Sequence, residues 1–281
     1  MSIIEEAVRK TAERHQRHAP APEQAPSRPR LRRVHSAPVD TSSARRFQPV
    51  SLDRAVLEEN NILPQVTDPG ALRSYKILRT RLLRRLEANQ WHSFAVTGAT
   101  AGEGKTLTAI NLAMALAQES NTWVFLVDLD LQRPKVADYL GMNNSLGQRG
   151  LTDYLLGDAT FDQIMYAPSN IERLALIPNF QAVANASDLL TSPKMDELVQ
   201  SLEAEMPRRI VIFDMPPVLA ADDVLAFAPQ LDGLLMVVAE GTTSRDALRG
   251  AKQVLQEMNL LGVVLNRSET QDDGAYYSYA R

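Results

Sequence analysis

Cysteine is absent from the 281 residues. That excludes a disulfide framework, a thiolate zinc site, an iron–sulfur cluster and a cysteine nucleophile. Histidine is scarce. His15, His18 and His35 crowd the start, and only His92 follows, too few for a histidine metal site. No apolar run nears the ~18 residues that mark a membrane-spanning helix. The opening MSIIEEAVRK carries acidic side chains where a secretory signal has its apolar stretch. A cytoplasmic protein is therefore expected. The 44% hydrophobic and 23% charged content lies near globular averages, so the chain can bury a core. Its length suits one or two domains.

Charge is unevenly spread. Residues 1–50 hold ten Lys and Arg against five Asp and Glu, leaving twenty against twenty-nine for the remainder. The acidic body does not suit a general nucleic-acid binder. The basic arm reads first as a solvated linker, and second as a contact for an acidic partner, anionic lipid or nucleic acid. Residues 2–17 fit a short amphipathic helix through Ile3, Ile4, Ala7, Val8 and Thr11. Residues 18–50, with six prolines and few large apolar side chains, are expected to be disordered.

Order is expected from about residue 50 onward. Over 68–89, Leu72, Tyr75, Leu78, Leu82 and Leu86 recur at helical spacing, with Asp68 as N-cap and Pro69 in the first turn. The opposite face of this helix carries Arg73, Lys76, Arg79, Arg84 and Arg85. Beyond Trp91, aliphatic runs at 93–98, 122–128, 173–178, 209–214, 233–239 and 262–266 read as strands buried on both faces. Helices fit between them at about 104–119, 187–204, 222–228 and 243–258. The alternation predicts an α/β fold, a mostly parallel sheet flanked by helices on both faces with right-handed crossovers.

The first of these strands runs into GATAGEGKT (98–106) and then a long helix. Lys105 and Thr106 stand where GxxxxGK[ST] has its Lys and Ser/Thr. Gly102 and Gly104 let backbone N–H groups approach a phosphate at the positive end of the helix. Lys105 would reach the β- and γ-phosphates and Thr106 would ligate magnesium. The pattern's first Gly is Ala99 here, and Gly98 lies one residue earlier.

Asp128 and Asp130 close the second strand, and Asp214 closes another in IVIFDMPP. Ligands in open α/β sheets sit beyond the carboxyl ends of strands, where the phosphate loop also lies. Three carboxylates converging on a magnesium nucleotide is the economical reading. Any single one of them is alternatively a helix N-cap. Met215-Pro216-Pro217 gives Asp214 a stiff exit.

Together AGEGKT, FLVDLDLQRP and IVIFDMPP resemble the Walker A, Walker A′ and Walker B motifs of the bacterial tyrosine kinases of exopolysaccharide and capsule assembly. These belong to the MinD/ParA-like P-loop ATPases. The resemblance covers about 68–281. It implies a kinase domain over 67–270, preceded by an extension over 1–66 and followed by a tyrosine-rich tail over 271–281. It implies ATP and Mg2+ held by Ala101, Gly102, Glu103, Gly104, Lys105, Thr106 and Leu107. Asn266 resembles the group's adenine-contacting asparagine, with a strand-end turn residue as the alternative. Thr106, Asp128 and Asp214 would hold the metal. Lys105, Asp128 and Asp130 would be catalytic, with either aspartate taking the acceptor's proton.

The end of the chain, GAYYSYAR, is similar to the family's tyrosine cluster. Tyr276, Tyr277 and Tyr279 are the implied sites of autophosphorylation in trans, within a homo-oligomer that cycles with polymer synthesis and export. A separate membrane-embedded chain-length regulator is the implied activator, bringing the domain to the inner face of the membrane. No nucleic acid is expected. Three departures stand out. The family's ring-interface motif E-x-x-R-x-x-R reads Arg73, Lys76, Arg79. The family Arg after D-x-D-x is Gln132. The MinD/ParA signature lysine falls at Thr100, which counts against a positional ATPase switch. A non-catalytic scaffold is the third reading, and the intact loop and carboxylates count against it.

Overall fold

The computed structural model describes residues 47–66, 68–118, 122–142, 147–206 and 208–268. The expected helix over 2–17, most of the linker, and Tyr276, Tyr277 and Tyr279 lie outside these residues.

Eight strands form one sheet: β1 (Gln48–Val50), β2 (Ser93–Gly98), β3 (Trp123–Asp128), β4 (Tyr166–Pro168), β5 (Leu174–Ile177), β6 (Arg209–Asp214), β7 (Gly233–Ala239) and β8 (Leu260–Asn266). Their order is β1-β4-β5-β3-β6-β2-β7-β8. Every pairing is parallel except the single β4–β5 contact at Tyr166 and Leu176. The six aliphatic runs are the six longer strands. The two short ones, β1 and β4, are below the length at which any periodicity shows.

Alternation along the strands divides the core. Val124 and Leu126 face one side, Phe125 and Val127 the other. The first side is covered by α1 (Arg54–Glu59), α2 (Pro69–Asn89), α3 (Lys105–Ala117) and α4 (Val136–Tyr139), through Leu57, Leu82, Ile110 and Val136. The second is covered by α5 (Leu151–Leu156), α6 (Phe161–Ile164), α7 (Ala186–Leu190), α8 (Pro193–Glu205), α9 (Asp223–Phe227) and α10 (Arg245–Val254). Helices early in the chain thus take one face and later ones the other.

Local chemistry sets the helix ends. Asp68 accepts from the N–H groups of Gly70 and Ala71 at 3.2 and 2.8 Å, and Pro69 opens α2. Gln90, left-handed at φ 57°, ends it. The single helix expected over 187–204 is two. Pro193 has no N–H to continue α7, and the Ser192 hydroxyl caps α8 by accepting from Met195 N–H.

The boundary at residue 66 is corrected. Residues 47–66 are part of the folded body. β1 pairs with β4, Asp53 caps α1, and Phe47, Leu52, Leu57, Ile62 and Leu63 are buried. Asn111 of α3 binds the segment down, accepting from Leu63 N–H at 2.7 Å and donating to the Asn61 carbonyl at 3.0 Å. The Pro- and Arg-rich run ahead of it gives no sign that order begins at Phe47, and β1 and α1 are too short to show a period.

Candidate active site

The carboxyl ends of β2, β3 and β6 meet at one edge. β6 lies between the other two, so Asp128 and Asp214 are register partners on adjacent strands. The exit of β6 is pinned to β2. Met215 N–H donates to the Val96 carbonyl at 3.0 Å, the Thr97 hydroxyl donates to the Pro216 carbonyl at 2.6 Å, and Val218 N–H donates to the Gly98 carbonyl at 2.9 Å. The two prolines offer no N–H that would compete.

The phosphate loop runs from Gly98 to α3, with Gly102 and Gly104 at φ +80° and +87°. Such angles favour glycine, which has no Cβ to clash. Lys105 and Thr106 open the helix, and the buried Lys105 Nζ donates to the Thr100 carbonyl at 3.3 Å.

The displaced Gly98 now has a reason. Glu103, fully buried, folds behind the loop, where its carboxylate accepts from Thr100 N–H at 3.1 Å and from the hydroxyls of Thr100 and Thr243 at 3.0 and 2.7 Å. A methyl on residue 98 would overlap Glu103 Oε2 and sit 2.9 Å from the Val237 carbonyl. Of Glu103, only the backbone remains for a nucleotide. Asn266 stands beside the loop at the end of β8 and donates to the Glu103 carbonyl at 2.9 Å. A side chain on residue 104 would collide with that amide. Asn266 therefore braces the loop, whatever else it touches.

The carboxylates divide their work. One oxygen of Asp128 caps α4, accepting from Lys135 and Val136 N–H at 3.1 and 3.0 Å. Its other oxygen, and both oxygens of Asp214, are buried without a hydrogen-bond partner. Asp130, half-buried, accepts from Arg133 N–H at 3.1 Å. Burial pushes Asp214 up to about 7, and the neighbouring Asp130 adds to the rise. The Thr106 hydroxyl and Lys105 offset part of it, the hydroxyl lying near without closing a hydrogen bond of ordinary geometry. Asp128 is raised well above the carboxylate range, by burial and then by Asp214. Asp130 is raised mainly by burial.

These orphaned oxygens fit a hydrated divalent cation. Magnesium is typically held through one or two carboxylates, with phosphate and water completing its shell. Among the described residues, no cluster of three or more His, Cys, Asp or Glu could hold a metal by itself. The Thr106 hydroxyl and nucleotide oxygens would complete the shell.

Two residues escaped the sequence reading. Asp223, at the start of α9, is buried with one oxygen unpartnered, and its other oxygen accepts from Gln132 Nε2 at 3.4 Å. Burial raises it, followed by Asp222 and Asp130. A second acid directly before a helical run reads as a cap, so only the fold exposes it. The Thr243 link to Glu103 likewise joins residues 140 positions apart and has no local signal.

A parallel sheet, a glycine loop opening a helix, and unpartnered carboxylates at the ends of the neighbouring strands define a P-loop nucleotide-binding domain. The AAA domain family model matches residues 92–268. The tyrosine-protein kinase YwqD of Bacillus subtilis is 33% identical over 218 residues, 76% of this chain and 89% of YwqD. The tyrosine-protein kinase Wzc of Salmonella typhi is 29% identical over 221 residues, 74% of this chain but only 29% of Wzc. The kinase domain of the Escherichia coli tyrosine kinase ETK superposes with a TM-score of 0.62 at 26% identity, covering 74% of this chain and 80% of that one. The chain belongs to the bacterial tyrosine-protein kinase family, within the P-loop ATPases.

Proposed function

We propose that this chain is an ATP-dependent protein tyrosine kinase that phosphorylates its own C-terminal cluster, Tyr276, Tyr277 and Tyr279, in trans. The observation that carries this reading is the set of unpartnered oxygens of Asp128 and Asp214 beside Lys105 and Thr106. That edge offers cationic and N–H groups for phosphates and bare anionic oxygens for a metal. Relatives named as tyrosine kinases supply the chemistry's direction.

Lys105 and the backbone N–H groups from Ala101 to Leu107 would cradle the phosphates of ATP. Thr106, Asp128 and Asp214 would hold Mg2+, which when bound neutralises charge on the transferring phosphoryl group. Asp128 has one oxygen committed to α4 and is fully buried. Asp130 is less buried and raised in pKa, so it is the better placed to take the acceptor's proton. The tyrosine hydroxyl, with its pKa near 10, gives up that proton around the moment of transfer. Phosphoryl transfer otherwise rests on positioning and charge stabilisation.

The wider role follows from the family: regulation of exopolysaccharide or capsule polymerisation and export, with a separate membrane-embedded regulator as activator. Each phosphotyrosine adds about −1.5 to −2 charges, so a multiply phosphorylated tail would loosen a homo-oligomer. The alternative of an ATPase switch is disfavoured by Thr100. Its hydroxyl and N–H bind Glu103, so the position serves as a loop brace.

Incubation with Mg–ATP followed by intact mass spectrometry tests the reading, with Lys105→Met as control. Added phosphates mapping to Tyr276, Tyr277 or Tyr279 and lost in the mutant are expected. ATP hydrolysis without phosphotyrosine would support the switch instead. If neither occurs, a scaffold or a kinase awaiting its activator remains, and adding cytoplasmic segments of candidate activators separates the two.

A further inference from the structure

The outer face of α2 takes no part in the site, yet it holds the densest charge in the described body. Six Lys and Arg and a single acid, Glu87, lie within its 21 residues. The rest of the chain beyond residue 50 holds fourteen Lys and Arg against twenty-eight Asp and Glu. Leu82 and Leu86 bury the inner face. Arg79, expected on the outer face, turns inward and donates to the Ala115 carbonyl of α3 at 3.4 Å. Arg81 joins the exposed set in its place, with Arg73, Lys76, Arg84 and Arg85. None of these five makes an ion pair with an acid among the described residues. Ile77, 37% exposed, lies among them.

We propose that this face of α2 docks on the anionic phospholipid surface of a membrane. From Arg73 to Arg85 the helix presents these cations along about 18 Å. Protein interfaces draw their affinity from buried aromatic or aliphatic anchors, and this face offers only Ile77. A lipid surface asks for charge density alone. Each Lys or Arg near an anionic leaflet strengthens binding about fivefold, so five give a factor on the order of 10³. That is weak and reversible attachment, comparable to one acyl chain, and it takes effect when a second contact adds to it. Another α2 would repel this one. The acidic body of a second copy is the competing occupant, and the experiment separates it from lipid. The inference does not depend on the kinase reading.

The test is sedimentation of the full chain with phosphatidylcholine vesicles, with and without phosphatidylglycerol. Binding is expected only with the anionic lipid. It should fall as ionic strength rises from 0.1 to 1 M and the screening length shrinks from about 10 to 3 Å. R81E/R84E removes two attractions and adds two repulsions, so binding should drop by about 10²-fold or more. R81K/R84K should bind like the parent. Circular dichroism confirms that each variant is folded. No binding to anionic vesicles overturns the proposal. Undiminished binding of R81E/R84E also overturns it, because residues 1–46 or another surface would then hold the lipid. Loss of binding in R81K/R84K overturns it in favour of a stereospecific partner. A lower mass by light scattering in R81E/R84E, with lipid binding intact, assigns the face to contact between copies.

Discussion

Asp214→Asn is expected to make the nucleotide-free protein more stable while abolishing its use of Mg–nucleotide. Asp214 is fully buried, neither oxygen has a partner, and its pKa is raised to about 7 from an ordinary 3.8. Between about pH 4 and pH 7 the folded state therefore holds a proton that the unfolded chain has released. Stability falls as pH rises through that window and levels off above it. About three pKa steps at 1.36 kcal/mol each give an upper bound of about 4 kcal/mol at pH 8, or roughly 10 °C in melting temperature for a domain of this size. Asparagine keeps the shape and removes the ionisation. Thermal melts of parent and mutant at pH 5 and pH 8, with and without Mg–ADP, read the effect. By the same arithmetic the mutant should gain about 1.5 kcal/mol, a few degrees, at pH 5, and more than twice that at pH 8. Mg–ADP should stabilise the parent and leave the mutant unmoved. A mutant that melts no higher than the parent at pH 8, or whose advantage is equal at both pH values, would refute the argument from burial.

Leu57→Ala should cost about 2–5 kcal/mol in denaturant unfolding, because α1 belongs to the core; a change within error would return residues 47–66 to the linker. Gly98→Ala should cost about 1–3 kcal/mol and weaken ADP binding by calorimetry. Adding Glu103→Ala should recover only part of that, since the Val237 carbonyl cannot move away. Gln132→Arg should give Asp223 a charged partner and add about 1–3 kcal/mol at pH 8, with the gain shrinking as pH falls and the carboxylate takes up a proton.

Much of this was legible in the residues. The six longer strands showed themselves as aliphatic runs because both faces of a central parallel sheet are apolar. The loop, Lys105, Thr106, Asp128 and Asp214 were marked by spacing at strand ends. What stayed hidden depends on contacts between distant segments. Phe47 to Val66 is as apolar as the chain at large, but β1 and α1 are too short to show a period, and its place is settled by Asn111 and β4. Gly98 reads as a slipped motif in the sequence, and the Glu103 carboxylate that requires it is brought behind the loop only by the fold. Arg79 has helical spacing suited to the outer face, but its long side chain reaches back to α3. Asp223 reads as a cap in one dimension and becomes a buried partner of Gln132 in three.

The placement of β6 between β3 and β2 also bears on how the chain is made. A nascent chain synthesised only as far as α8 has the strands on either side but not the one that joins them. Val124 to Val127 and Phe94 to Val96, fully buried in the finished fold, would then border an open seam. The sheet closes only when residues 209–214 insert, more than 80 positions after Asp128, and such non-local parallel pairing is slow. Asp214 arrives on that same strand, so the nucleotide site is completed at the moment the seam closes. A nucleotide can therefore stabilise only chains that have passed this step, and an exposed seam before it marks where a chaperone or a protease would act.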